Sequence, residues 1–181
     1  MDRNLGASQV ATSSTDANAY GDLYQWGRGA DGHQCRNSAT TTTLSSTDQP
    51  GHGDFILSPN SPNDWLTAQN NNLWQGVNGV NNPCPGGYRL PTYEELQAER
   101  ESWSQNSSAG AFASPLKWPM AGYRVNSNGS HVAVGTLGVY WSSWVSGTNC
   151  YSLWFHLAAG VDSDGTNGYR ALGFSVRCIK N

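Results

Sequence analysis

Histidine and cysteine are the side chains of this chain that could transfer protons, attack carbonyl groups or ligate a metal ion. The chain has 181 residues and four of each type. They are His33, His52, His131 and His156, and Cys35, Cys84, Cys150 and Cys178. None stands in a His-Glu-x-x-His or Cys-x-x-Cys spacing, which are local patterns that hold zinc. We therefore expect no metal, no cofactor and no enzymatic activity.

Three short segments carry acidic residues or histidine beside glycine. Asp31-Gly32-His33 and Gly51-His52-Gly53-Asp54 could hold a metal or form a catalytic dyad, but these residue types are more often found in turns. Residues 162–167 resemble a calcium loop, yet their glycine comes early and the distal glutamate is missing. We interpret the first two as turns and the third as a turn-rich binding loop.

The composition bounds the class of protein. Charged residues make up 13% of the chain and the net charge is −3, so it lacks the basic stripe of a nucleic-acid binder. No apolar run approaches the ~18 residues of a membrane span, and residues 1–10 contain no apolar signal core. Eight tryptophans and eight tyrosines argue against disorder. We expect a single folded domain over residues 1–181, without direct membrane insertion, and leave the oligomeric state open.

The helices that would position a site have recognisable starts. Thr92 followed by Glu95 is a capping box, and Leu96 and Trp103 would form the buried face of the helix that follows. A short helix is predicted over residues 17–24, with an N-cap among residues 13–16.

Several short strands are predicted around these helices. They lie at residues 88–90, 116–119, 122–125 and 131–134, the last two joined as a hairpin by an Asn-Gly turn. The long segment 27–83 has little pattern, and Trp65 and Trp74 are expected to tie it to the core.

The C-terminal strands carry the strongest alternation. In residues 150–157, Tyr151, Leu153, Phe155 and Leu157 share one face, which we interpret as core. The other face shows Ser152, Trp154 and His156 to solvent. In residues 173–179 the apolar set is Phe174, Val176 and Cys178. Trp141 and Trp144 are out of phase, so one strand face cannot bury both.

Exposed aromatic side chains among small polar residues are typical of binding surfaces. We predict one solvent-facing patch with residues 162–167 at its rim, formed by Trp144, Tyr151, Trp154, His156 and Tyr169. Tyr151 is the weakest member, because alternation places it with the core set. Cys84 and Cys178 are the best candidates for a disulfide; two reduced core cysteines are the alternative.

Several motifs together resemble a known family. They are MDRNLGA, YGDLYQWGR, LWQGVNGVNNPCPGGYRLPT and the closing YWSS and GFSVRCIK. This series is similar to the Fibrobacter succinogenes major paralogous domain, which is related to the formylglycine-generating sulfatase-modifying family. It is also similar to the variable proteins of diversity-generating retroelements. The resemblance implies an α+β, C-type lectin-like fold, with a small twisted, mostly antiparallel sheet, two helices and long ordered loops.

In those variable proteins, adenine-containing codons near the 3′ end of the gene are rewritten. Carried over, the variable region spans about 140–178, with Tyr140-Trp141-Ser142-Ser143 and residues 173–178 as fixed scaffold. The implied ligand-binding positions are Trp144, Asn149, Tyr151, Ser152, Trp154, His156, Asp162, Ser163, Asp164, Thr166, Asn167 and Tyr169. Leu172 is a further variable position. Adenine changes in an Asn codon cannot give Trp, so Trp144 and Trp154 are fixed or come from another codon.

These observations lead to a non-enzymatic binding module whose C-terminal surface is diversified and contacts a protein or glycan on a cell surface. We expect it to be displayed on a cell or virion, or secreted. The alternative is a fixed cell-surface carbohydrate-binding module. An oxidase of the formylglycine-generating type ranks below both, because it would need a reactive cysteine pair.

Overall fold

The computed structural model describes residues 1–157 and 168–181. In these ranges the fold is α+β, with two α-helices, α1 (Tyr93–Glu101) and α2 (Ser108–Ala113). Neither is long and apolar enough to cross a membrane, nor is any other helix in the described ranges. The strands are β1 (Tyr24–Gln25), β2 (Thr40–Thr41), β3 (Phe55–Ile56), β4 (Tyr88–Arg89), β5 (Tyr123–Arg124), β6 (His131–Val132), β7 (Leu137–Ser146), β8 (Asn149–His156), β9 (Gly168–Tyr169), β10 (Gly173–Phe174) and β11 (Ile179–Lys180).

The strands form several small sheets rather than one. One has the order β1-β10-β5-β6, and a second has the order β7-β8-β9. Two-stranded sheets join β11 to β4 and β2 to β3. The β2–β3 ladder is parallel and the other ladders between these strands are antiparallel. The β7–β8 hairpin is the longest element and carries the C-terminal surface.

Helix α1 has the predicted start. The Thr92 amide donates to the Glu95 carboxylate at 2.8 Å, and the Glu95 amide donates back to the Thr92 hydroxyl at 3.3 Å. These two bonds satisfy amides that have no partner within the helix. Leu96 and Trp103 are buried as expected. A local sequence signal was sufficient here because both partners lie within one turn.

The predicted helix over residues 17–24 is wrong in extent. A 3₁₀ turn at Ala17–Ala19, capped by Asp16, takes its place. Gly21 follows with φ of +64°, and a Cβ there would lie 2.2 Å from the Leu5 carbonyl oxygen. This close approach of two backbone segments ends the helical path.

The predicted strand over residues 173–179 is regular only at its two ends, in β10 and β11. Phe174, Val176 and Cys178 are buried, at 0%, 0% and 1% exposure, as predicted. Ser175 and Arg177, which alternate with them, are buried too. Both sides of this segment are therefore covered. The strand predicted at residues 116–119 does not form.

The long segment 27–83 is held by tryptophans, as predicted. Trp65 and Trp74 are fully buried. The Trp65 indole N–H donates to the Trp26 carbonyl at 2.8 Å, and the Trp74 indole N–H donates to the Asn81 carbonyl at 2.9 Å. Each ring thus adds buried apolar surface and also satisfies a loop carbonyl.

Buried arginines hold the loops in a way that the sequence did not indicate. Arg28 is fully buried and donates to the carbonyls of His52 and Asp54 at 2.7 and 2.9 Å. Arg124 donates to the Ser38 carbonyl at 2.8 Å and lies over the Phe55 ring at 4.3 Å. The five N–H donors of a guanidinium let one side chain satisfy several loop carbonyls at once.

Cys84 and Cys178 form a disulfide between positions 94 residues apart. It joins the segment before β4 to the residue that precedes β11. Cys35 and Cys150 are free thiols.

Candidate ligand-binding surface

The β7–β8 hairpin positions the candidate surface. Its register pairs Val139 with Trp154 and Trp141 with Ser152, then shifts between Trp141 and Val145 before Ser146 pairs with Asn149. The shift lies in β7, so it alters which way the β7 residues near the turn point relative to a regular ladder. β8 keeps its alternation.

One face of β8 lies against the helices. Leu153 and Phe155 are buried on it at 2% and 1% exposure, and Phe155 meets the Trp103 ring edge-on at 5.3 Å. Across the ladder stands Gly138, where a Cβ would come within 2.1 Å of the Phe155 ring. Tyr151 is on the same face, one strand step closer to the turn.

Tyr151 does not enter the core. It meets two other rings and forms what we call the aromatic shelf, consisting of Tyr93, Trp144 and Tyr151. Trp144 and Tyr151 stack at 4.1 Å between centroids, Tyr93 and Trp144 at 5.5 Å, and Tyr93 and Tyr151 lie 5.1 Å apart. Trp144 is 41% exposed, whereas Trp141 is fully buried, which confirms that one strand face does not bury both.

The shelf continues towards β9. Asn149 shares the Tyr151 face of β8 and pairs across the ladders with Ser146 on one side and Tyr169 on the other. Directly paired residues project to the same side of a sheet. Tyr169 is 46% exposed. We call the shelf together with Ser146, Asn149 and Tyr169 the binding face.

A buried arginine holds the turn of the β7–β8 hairpin in place. Arg170 is buried, and its guanidinium donates to the Gly147 carbonyl in the turn and to the Asn70 carbonyl, each at 3.2 Å. The same guanidinium lies over the Trp26 ring at 4.9 Å. The turn is therefore tied to the long segment 27–83 and to the core.

The prediction of a single patch is wrong for Trp154 and His156. They lie on the opposite face of β8 from Tyr151, together with Ser152, which was an implied ligand-binding position. Ser152 is fully buried. Trp154 is half-buried, with its ring 5.9 Å from that of Phe174 and 6.3 Å from that of Tyr123. Phe174 of β10 and Tyr123 of β5 pack against Trp154, and His156 is half-buried, so this face is not open to water as the alternation suggested.

Tyr151 belongs to the binding face for a different reason than expected. The sequence suggested that a bulge or strand end would have to turn it outward. Instead, the face that it shares with Leu153 runs past the first turn of α1, where Tyr93 is the first helical residue. The helices do not cover the face beyond this point, so its side chains are buried at Phe155 and partly exposed at Tyr151. Leu157, at the other end, is 66% exposed rather than core.

Tyr93 is the residue of the surface that sequence reasoning missed. A large aromatic side chain at the first position of a capped helix was visible, but nothing local indicated that it would meet rings from β7 and β8. The predicted loop residues Asp162, Ser163, Asp164, Thr166 and Asn167 lie outside the described residues.

The Asp31–His33 pair is structural. His33 is fully buried, its Nδ1 lies 2.7 Å from the Asp31 carboxylate, and its Nε2 accepts the Gln25 amide at 3.1 Å. Burial lowers the pKa of His33 to about 4, so the ring is neutral near pH 7. Both ring nitrogens are occupied, which leaves no lone pair for a metal or substrate.

The free cysteines do not form a reactive pair in the part of the chain that the structure describes. Cys150 is fully buried, and burial raises the pKa of its thiol well above the usual value. A thiolate is the reactive form of cysteine, so such a thiol is a poor nucleophile. Among residues 1–157 and 168–181, no group of three or more His, Cys, Asp or Glu side chains could hold a metal ion.

No protein-family model matches the chain, and neither a curated protein nor a solved structure matches it.

Proposed function

We propose that this protein is a non-enzymatic ligand-binding domain and that the binding face contacts its ligand. The observation that carries the proposal is the aromatic shelf, in which an exposed tryptophan and two tyrosines from three different elements meet at the surface. Soluble domains rarely expose large rings together unless the surface has a partner.

The chemistry of the face supports recognition rather than catalysis. Its six side chains are Tyr93, Trp144, Ser146, Asn149, Tyr151 and Tyr169, and all are neutral types. Tyr and Trp lose little conformational entropy on binding, and Ser and Asn supply adaptable hydrogen bonds. The buried Arg170 fixes the turn beneath them, so little ordering is left for the ligand to induce.

We further propose a C-type lectin-like fold and diversification of region 140–178 by a retroelement, with a protein or glycan of a cell surface as ligand. The motif series supports this. Asn149, Tyr151 and Tyr169 are residue types that adenine changes can produce, and they stand on the binding face. Ser152 is buried, so it is not part of the proposed ligand-contacting surface.

A second candidate is a fixed carbohydrate-binding module. Trp144 favours it, because Trp cannot arise from an Asn codon by adenine changes, and so does Tyr93, which lies before region 140–178. The most exposed ring of the shelf and its neighbour on α1 are then constant parts of the surface.

Binding of labelled protein to a panel of whole cells tests the proposal. We expect Trp144→Ala and Tyr169→Ala each to reduce cell binding at least about 10-fold on cells that bind the parent protein. Leu157→Ala is the matched control, since Leu157 is exposed but lies at the far end of β8. Equal binding by all three variants would refute the proposed face.

Diversification is tested separately, on the DNA beside the gene. A near-copy of the 3′ end that differs at adenines, together with a reverse transcriptase gene, is the expected finding. Its absence would leave the fixed module as the better candidate.

A further inference from the structure

The three rings of the shelf have a definite arrangement around Trp144. Both tyrosines stack on the indole, with interplanar angles of 28° and 29°. Rings on opposite faces of one indole would be about 7 Å or more apart, because each stacks at a carbon–carbon distance of about 3.5 Å. The two tyrosine centroids are only 5.1 Å apart. Tyr93 and Tyr151 therefore lie on the same side of Trp144.

The other face of the indole carries no aromatic ring of the described residues, because Tyr93 and Tyr151 are the only described rings in contact with Trp144. Its 41% exposure shows that a large part of the side chain meets solvent. The same side of the sheet carries groups that give and accept hydrogen bonds without charge, on Ser146, Asn149 and Tyr169.

This geometry does not suit a cationic ligand. An ammonium cage needs rings that surround an empty centre, whereas the shelf rings contact one another at 4.1 to 5.5 Å. The side chains of the binding face also contribute no carboxylate to pair with a cation. A flat, neutral and partly apolar ligand fits better.

We infer that the open face of Trp144 is a stacking platform for the pyranose ring of a neutral glycan. This rests on the proposed function, which it narrows to one ligand class. The axial C–H bonds of a pyranose form a flat apolar surface with a partial positive charge, complementary to the negative face of an indole. The hydroxyl groups at the sugar's edge then meet the amide of Asn149 and the hydroxyls of Ser146 and Tyr169.

The exposed indole face matches one sugar ring in area. Tyr93 acts here as a positioning residue, because it supports the indole from α1 on the side away from the ligand.

An immobilised panel of neutral and sialylated oligosaccharides tests the inference. We expect at least one neutral glycan to retain the protein. Titration of that glycan should show at least about 10-fold weaker binding for Trp144→Ala and an intermediate loss for Trp144→Phe, whose ring is smaller. Saturation-transfer NMR should give its strongest signal on the axial C–H protons of the sugar.

Two substitutions test the positioning role of Tyr93. Tyr93→Ala should weaken glycan binding about 3-fold, by letting the indole move, and Tyr93→Phe should restore it because the ring alone provides the support. The matched control is Trp154→Phe on the opposite face of β8, which should leave glycan binding unchanged.

The outcomes separate this inference from the proposed function. Retention of no neutral glycan, or binding that Trp144→Ala leaves intact, overturns the glycan inference. If a cell-surface protein is instead bound in a Trp144-dependent way, the glycan inference fails and the proposed function stands. A ligand of any class whose binding no variant of the face alters overturns both.

Discussion

The two faces of β8 have the same alternation but different surroundings. On one face, Cys150 and Ser152 are fully buried and Trp154 is half-buried against Tyr123 and Phe174. On the other, Phe155 and Leu153 are buried under the helices. The second face becomes partly exposed at Tyr151, beside the first residue of α1.

The difference shows that exposure along a strand is decided by what covers it, and not by its periodicity. On the first face, Phe174 of β10 and Tyr123 of β5 pack against Trp154. The second face is covered by α1 and α2, and this cover ends at Tyr93, the first residue of α1. The surface rings lie where the cover ends, and the helix contributes its own first ring to them.

The largest expected effect is on the covered face. Phe174→Ala should lower the free energy of unfolding by about 3–5 kcal/mol, because Phe174 is fully buried and stacks on Trp141 at 4.1 Å. Urea unfolding measures it, with the exposed Tyr169→Ala as control, expected within about 0.5 kcal/mol of the parent. A Phe174→Ala protein as stable as the parent would contradict the burial of this side of β8.

Acid should also affect the buried core rather than the binding face. His33 has a folded pKa of about 4 against an ordinary 6.5, so between these values the unfolded chain binds more protons. The free energy of unfolding therefore keeps its full value above pH 6.5 and falls as the pH drops to about 4. The total loss due to His33 is about 3 kcal/mol.

Urea unfolding from pH 7.5 to pH 4 measures this loss. His33→Gln removes the titrating group and should flatten the pH dependence over that window. Ligand binding per folded molecule should change little, because the side chains of the binding face are neutral. An equal pH dependence in both proteins would exclude His33 as its cause.

Substitution of Trp154 and of Trp144 should distinguish the roles of the two faces. Trp154→Ala should lower the free energy of unfolding by about 2 kcal/mol, less than a fully buried ring, and leave ligand binding unchanged. Trp144→Ala should reduce ligand binding at least about 10-fold and lower stability by only about 1 kcal/mol, from the lost stacking on two tyrosines. The reverse pattern would exchange the roles assigned to the two faces.

The smallest effect is expected at the half-exposed free thiol. Cys35→Ser should change both stability and ligand binding by less than about 0.5 kcal/mol, since nothing in the described residues uses this thiol chemically. Thermal unfolding and the cell-binding assay measure the two effects. Loss of an oxidase activity in this variant would show that the protein is an enzyme after all.

Local signals predicted much of the fold. The capping box of α1, the β5–β6 hairpin, the burial of Phe174 and Val176 and the anchoring by Trp65 and Trp74 all follow from residues close in sequence or from strong hydrophobicity. The order of the strands in the sheets did not follow, because it depends on contacts between distant segments.

The binding face was predicted only in part for the same reason. Trp144 and Tyr169 are exposed as expected, but Trp154 has a similar local sequence setting and is half-buried. Periodicity assigns residues to the two faces of a strand, but it does not indicate which face another strand covers. The buried arginines were missed because a guanidinium is buried only where loop carbonyls converge on it, as at Arg28.

The disulfide keeps the residues of the binding face covalently joined after a single cleavage of the chain. All six residues of the face lie between Cys84 and Cys178, so the elements that carry them belong to one covalently closed ring. A protease that cleaves a single peptide bond within this ring opens it but releases no fragment. The nicked chain would run as one species on a non-reducing gel and as two after reduction, and the tyrosine from α1 would stay tethered to the strands that it meets.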